Sequence, residues 1–257
     1  MKTSFHQRLR DGQSLAGILL TTGSREVAEV IQHAGFDWVF IDTEHGVLDP
    51  ADVQGVLQTL AGGPAAIVRI PDNEPVWFKK ALDAGADGVI VPLVRGAADA
   101  RKAVACAKYP PLGARSVGVG RAQAYGPGFK DYVDHANAQV SLVLQIEHID
   151  AVTQLDEILA VPGIDALFVG PFDLSSSMGL IGDVKHPAVR AAIDDVRTRC
   201  AARQMPLGIF ATSPEGAAEA LAGGYGFVAM GSELALLATA AAQTVKAIKQ
   251  GAARRPG

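Results

Sequence analysis

About eight short apolar runs recur along this chain, each closed by a turn and followed by a stretch of helical periodicity. The runs are Leu15–Leu20, Trp38–Ile41, Ala65–Ile70, Gly88–Val94, Leu142–Ile146, Ala166–Gly170, Leu207–Phe210 and Phe227–Met230. Few folds accept that rhythm. Regular alternation of buried strands with helices predicts a parallel sheet covered by helices. With 257 residues, the chain is close to the ~250 typical of a (β/α)8 barrel, so residues 1–257 read as one α/β barrel domain. A doubly wound open sheet is the alternative. Against it, Gly118-Val119-Gly120 has no strand before it and no third glycine at dinucleotide-binding spacing.

The intervening segments carry helix signals. Ser24 and Ser213 stand at N-cap positions, and Pro50 stands in a first turn ahead of Val53, Val56, Leu57 and Leu60. The spacing predicts helices over about 26–33, 74–84, 97–107, 152–159, 188–203, 214–222 and 233–249. One segment breaks the rhythm: Tyr109–Asn137 is long, rich in Gly and Pro, and expected to be irregular, with an active-site or subunit-contact role.

Composition excludes several functions. A net charge of −4 without a basic run, and only 6% aromatic residues, argue against nucleic-acid binding. No uncharged apolar run reaches the ~18 residues of a membrane span, and the first residues lack a signal-peptide core. Cys106 and Cys200 are at no zinc-ligand or redox spacing and read as buried thiols of a cytoplasmic protein.

In a barrel, the C-terminal ends of the strands face the active site. That rim collects Asp42, Glu44 and His45 after the second run, Arg69 in the third, Gln145, Glu147 and His148 at the fifth, and Asp173 after the sixth. Glu147 and Asp173 belong to adjacent strand ends, and paired carboxylates with room for water suit a hard divalent cation. His45, among acids, is a candidate general base, with Asp42 as the nearby partner. Arg69 must find an anion in its apolar run: a substrate carboxylate, or Asp42 or Glu44 in a structural salt bridge. By spacing alone, Asp83 looks like an ordinary helix C-terminal residue.

Taken together, Phe36–Gly46, Val-Arg-Ile-Pro (68–71), Leu-Asp-Ala-Gly-Ala (82–86), Gly-Val-Ile-Val-Pro (88–92), Gln-Ile-Glu (145–147) and Val-Gly-Pro-Phe-Asp-Leu-Ser (169–175) resemble the HpcH/HpaI aldolases over nearly the whole chain. The resemblance implies a modified (β/α)8 barrel and a homo-oligomer, trimer or hexamer, that exchanges its last helix. It implies a class II pyruvate aldolase, which cleaves 4-hydroxy-2-oxo acids reversibly to pyruvate or a related 2-oxo acid and an aldehyde. It implies a divalent cation (Mg²⁺, Mn²⁺ or Co²⁺) on Glu147 and Asp173, His45 as proton acceptor, and Asp83 as the residue that raises its basicity. Arg69 becomes the transition-state stabiliser and carboxylate partner, and Gln145, Phe172 and Asp173 become substrate contacts. Phe172 stands where some members carry alanine, and Ser116 where glycine is common. Two other readings remain open: a related lyase acting on acyl-CoA esters, and a non-catalytic barrel that binds metal or a 2-oxo acid.

Overall fold

The computed structural model describes residues 3–252. Its strands are β1 (Leu15–Leu20), β2 (Trp38–Asp42), β3 (Ala65–Arg69), β4 (Gly88–Val91), β5 (Ser141–Ile146), β6 (Ala166–Val169), β7 (Leu207–Ala211) and β8 (Phe227–Ser232). All pair in parallel with their sequence neighbours, and β8 closes on β1. Every residue of β2 to β6 is buried, because each strand has the barrel interior on one face and helices on the other.

Two packing layers result. Outside the barrel, Ile18, Val39, Val68, Val89 and Leu144 meet the apolar stripes of the helices. Inside, the lower half is filled by rings: Trp38 against Phe227 at 5.5 Å and Phe40 against Phe168 at 5.6 Å, both edge-to-face. Gly17 and Gly208 admit them, since a Cβ at either position would run into Trp38 or Phe227. The buried indole N–H of Trp38 donates to the Val228 carbonyl at 3.1 Å. A short helix, Phe5–Arg10, stoppers the bottom by setting Phe5 against Trp38 and Phe227. The solid lower half leaves the opposite, C-terminal rim as the open end.

Several boundaries differ from the sequence expectations for local reasons. β4 stops at Val91 rather than Val94: Pro92 offers no N–H, and Leu93 turns into the left-handed region at φ 58°. The 152–159 helix is two short ones, Ile149–Thr153 and Leu155–Leu159. The 109–137 segment is not irregular throughout. Its last nine residues lie in a helix, Phe129–Gln139, and its start is pinned by Arg115. That guanidinium donates to Asp83 at 2.7 Å and to Tyr132 Oη at 3.0 Å, with its carbon over the Tyr109 ring at 4.7 Å. Cys200 is buried, and Cys106 only partly so.

The last helix, Glu233–Ala252, is anchored at its root, where Glu233 accepts from the Thr21 and Thr22 amides at 2.7 and 2.9 Å. Beyond that residue it leaves the barrel, with Leu234, Leu236, Leu237, Val245 and Ile248 all exposed. No helix among the described residues is long and apolar enough to cross a membrane.

Candidate active site

The rim residues converge as strand register dictates. Asp42 and Arg69 are opposite each other on β2 and β3, and their side chains lock. Arg69 Nε donates to Asp42 Oδ1 at 2.9 Å and Nη2 to Oδ2 at 2.7 Å, with Nη1 3.1 Å from Glu44 Oε2. The guanidinium also lies over the Phe40 ring at 5.1 Å. Asp42 Oδ1 accepts the backbone N–H groups of Glu44 and His45 as well, and so folds the turn after β2. Its carboxylate never touches the His45 ring. Among the described residues, the carboxylate oxygen within 4 Å of that imidazole is Glu44 Oε2, at 3.9 Å.

Glu147 is 4% exposed just past β5. Its Oε1 accepts from the Leu93 backbone N–H at 2.7 Å, and its Oε2 from Gln145 Nε2. The left-handed turn at Leu93 aims that N–H, and the missing side chain at Gly170 lets β6 end close to Glu147 and Gln145. Burial pushes the Glu147 carboxyl up, against the pull of those two donors. Burial likewise raises Glu44 to about 7; the Arg69 charge opposes the rise, and Glu147, Asp42 and Asp173 add to it.

Two depressions share His45 and Asp173. One, of about 140 Å³, is walled by Phe40, Arg69, Gln145, Phe168 and Phe172. The other, of about 240 Å³, holds Glu44, Glu147, Leu93, Arg95 and His148. A larger apolar groove between the helices Pro50–Thr59 and Pro75–Asp83 contains none of these groups.

The donor set fits a hard cation. Glu44 Oε2 and Gln145 Oε1 are buried acceptor oxygens without a hydrogen-bond partner; the short approach of Arg69 to Glu44 lacks hydrogen-bond geometry. Such orphans suit the protons of water molecules around an ion. Among the described residues no three His, Cys, Asp or Glu side chains converge as ready ligands, so Glu147 and Asp173 would bind an ion that keeps much of its water.

The family described as HpcH/HpaI aldolase/citrate lyase matches residues 16–240. The chain belongs to this family. It is 44% identical over 91% of its length to the 2-dehydro-3,6-dideoxy-6-sulfogluconate aldolase of Pseudomonas putida, covering 92% of that protein. It is 38% identical over its full length to a 4-hydroxy-2-oxo-heptane-1,7-dioate aldolase of Escherichia coli, covering 99% of that enzyme. A family member from Burkholderia cenocepacia superposes with a TM-score of 0.92 at 36% identity, over 96% of this chain and all of the other. The protein is therefore an enzyme, a carbon–carbon lyase of the aldolase type.

Within this HpcH/HpaI aldolase the expected site residues fall into two groups. His45, Arg69, Gln145, Glu147, Phe172 and Asp173 line the paired depressions. Asp42 and Asp83 do not. Asp42 holds Arg69 and the turn, which corrects its expected pairing with the His45 ring. Asp83 binds Arg115 and makes no contact with His45 in the same chain. The structural salt bridge foreseen as one option for Arg69 is the observed one. Its Nε–Nη2 edge is taken by Asp42, so a two-pronged clamp on a substrate carboxylate with that edge is ruled out. Gln145 uses its amide N–H on Glu147 and leaves Oε1 for other contacts. Sequence reasoning missed Leu93; the only signal was Pro92, which stops a strand but does not announce a left-handed residue after it.

Proposed function

We propose that this aldolase is a class II enzyme that cleaves 4-hydroxy-2-oxo acids reversibly to pyruvate, or a related 2-oxo acid, and an aldehyde. The observation that carries this reading is the buried Glu147 carboxylate, held by two donors beside Asp173 in a cavity that also contains His45. Glu147 and Asp173 would hold the divalent cation, Mg²⁺, Mn²⁺ or Co²⁺. When bound, it supplies Lewis acidity toward the 2-oxo carbonyl.

The chain's own groups account for the rest. His45, exposed at the junction of the two depressions, accepts the proton of the C4 hydroxyl. The C3–C4 bond then breaks, the hydroxyl oxygen becomes the aldehyde carbonyl, and the electron pair passes to the 2-oxo acid as its enolate. Arg69, already fixed by Asp42 and Glu44, offers its remaining N–H groups to that charge without reorganising. His45 returns the proton to C3. No lysine lines either depression, which favours this route over a Schiff base.

EDTA should abolish turnover, and Mg²⁺, Mn²⁺ or Co²⁺ should restore it, measured as pyruvate released from a 4-hydroxy-2-oxo acid. Borohydride added with pyruvate should leave the protein mass unchanged. A covalent adduct on lysine would overturn the reading.

The proposal includes a homo-oligomer, trimer or hexamer, built by exchange of Glu233–Ala252. Its support is that helix's exposure: a helix standing in water without tertiary contacts is marginal, and burying each Leu, Val or Ile is worth about 1.5–3 kcal/mol. The same assembly would give Asp83 a role. Bound to Arg115 within its own chain, it can serve as a basicity partner only toward the partner subunit's His45. Removing residues 238–257, which leaves the Glu233 anchor, should yield monomers by light scattering. A monomeric intact protein would refute the exchange.

A further inference from the structure

Asp83 is a carboxylate with one oxygen held and the other bare. It closes the helix Pro75–Asp83, where the unpaired carbonyls of the last turn disfavour a negative charge. Its Oδ1 accepts from Arg115 Nη2 at 2.7 Å, while among the described residues nothing donates to Oδ2. The same chain shows the closed alternative: Arg69 takes both oxygens of Asp42, and that carboxylate is buried. Arg115 does not close on Asp83 in this way. Its other terminal nitrogen, Nη1, donates to Tyr132 Oη at 3.0 Å, and the Asp83 side chain stays 27% exposed.

The surroundings hold this arrangement from both sides. The Arg115 side chain is 1% exposed, and its guanidinium lies over two rings, Tyr109 at 4.7 Å and Tyr132 at 5.5 Å. The loop that follows keeps Oδ2 uncovered: a Cβ at Gly118 would stand 3.2 Å from that oxygen. On either side of Gly118, Val117 and Val119 are exposed. No second cation takes the free oxygen. Arg121 donates to the Ala84 and Leu57 carbonyls, and Lys79 and Lys80, within a turn on the same helix, make no ion pair with Asp83.

We infer that Arg115 is a positioning residue of the aldolase site that acts across a subunit boundary: by fixing Oδ1 it aims Oδ2 of Asp83 at the imidazole N–H of the partner subunit's His45. This rests on the reading of Asp83 as the basicity partner of that histidine. A carboxylate on one ring nitrogen fixes the tautomer and leaves the other nitrogen free to take the proton of the C4 hydroxyl. A two-pronged Arg115 would close off Oδ2, and a side chain at position 118 would cover it. His45 is 67% exposed, and Val47 beside it is also exposed, so the rim offers an apolar surface to Val117 and Val119. Excluding water there strengthens the hydrogen bond that Oδ2 accepts.

Two variants test the assignment, each metal-loaded and checked as an oligomer by light scattering. Arg115→Met removes the anchor. Gly118→Ala keeps the Arg115–Asp83 pair and sets a methyl group against Oδ2, so it decides the question if loss of the buried guanidinium disrupts folding or assembly. Asp83→Asn is the reference. In all three, kcat for cleavage of a 4-hydroxy-2-oxo acid should fall about tenfold or more while KM stays within about twofold. The His45 imidazole, followed by NMR of histidine-labelled protein with His45→Gln for assignment, should titrate at lower pH than in the wild type. The double variant Asp83→Asn/Arg115→Met should be no slower than Asp83→Asn alone. An Arg115 that serves only the loop would lower thermal stability and leave the His45 titration in place. That result, or a further loss of rate in the double variant, would overturn the assignment and leave Asp83 its role. An Asp83→Asn protein that matches the wild type in rate and in titration would instead sink the Asp83 reading and this inference with it. The titration needs no turnover, so it decides the question even for a protein that cleaves no 4-hydroxy-2-oxo acid.

Discussion

Glu147→Gln should lower kcat/KM for 4-hydroxy-2-oxo acid cleavage by about a thousandfold or more, the equivalent of about 4 kcal/mol of transition-state stabilisation. The same substitution should leave the metal-free fold as stable as before, or more so. Both halves follow from one set of contacts. Glu147 is 4% exposed, and burial raises its carboxyl above the ordinary glutamate range, so the protein carries a charge where charge is expensive. Glutamine has the same shape. Its carbonyl oxygen can keep the Leu93 N–H, and the Gln145 amide can turn its unpartnered Oε1 toward the new N–H₂. The network survives, the charge is gone, and with it the group proposed to hold the cation. A residue kept for structure would show the opposite pattern: reduced stability and modest loss of rate. The measurements are pyruvate release over a range of Mn²⁺ concentrations and thermal unfolding in EDTA. Retained turnover with unchanged metal response would remove Glu147 from the site.

Most of the barrel could be read because its strands are buried on both faces, so their sequences are nearly uninterrupted Val, Ile, Leu and Phe. Polar residues at their ends then stand out, which is why His45, Arg69, Gln145, Glu147 and Asp173 could be named from pattern and resemblance. What could not be read depends on distance in space. Asp42 and Arg69 are 27 residues apart, and only the β2–β3 register makes them a pair. Asp83 and Arg115 are 32 apart, and their bond is made by a loop that carries almost no periodicity. The helix Phe129–Gln139 was legible in principle: Phe129, Tyr132, Val133 and Ala136 recur at helical spacing, but the Gly- and Pro-rich residues before them masked the change of pattern. The stopper helix Phe5–Arg10 is too short for periodicity to show, although Ser4 is a proper cap. Backbone conformation is the hardest to foresee. Nothing in the residue type Leu suggests φ 58° at position 93, and the orientation of Glu147 depends on it.

The metal-free protein should lose about 3 kcal/mol of stability between pH 4.5 and pH 7 through Glu44 alone. In the fold its carboxyl titrates at about 7 instead of 4.5, because it is buried and faces Glu147, Asp42 and Asp173. Between those two values the folded chain holds the Glu44 proton and the unfolded chain has released it. Stability therefore falls by at most about 1.4 kcal/mol per pH unit across that window and flattens outside it. Arg69 at 3.1 Å limits the cost but does not cancel it, since its charge is shared with Asp42. Glu44→Gln isolates this contribution from the other acids, which titrate in both proteins. With EDTA present, the difference in urea midpoints between Glu44→Gln and the wild type should be near zero at pH 4.5 and grow to the full value by pH 7, in favour of the amide. A pH-independent difference would show that Glu44 is not the titrating group. Adding Mn²⁺ should compress the difference, because a cation on Glu147 and Asp173 lowers the cost of ionising Glu44. The acid cluster that destabilises the metal-free chain is then the same feature that favours loading of the site, and the two effects are read in one pair of titrations.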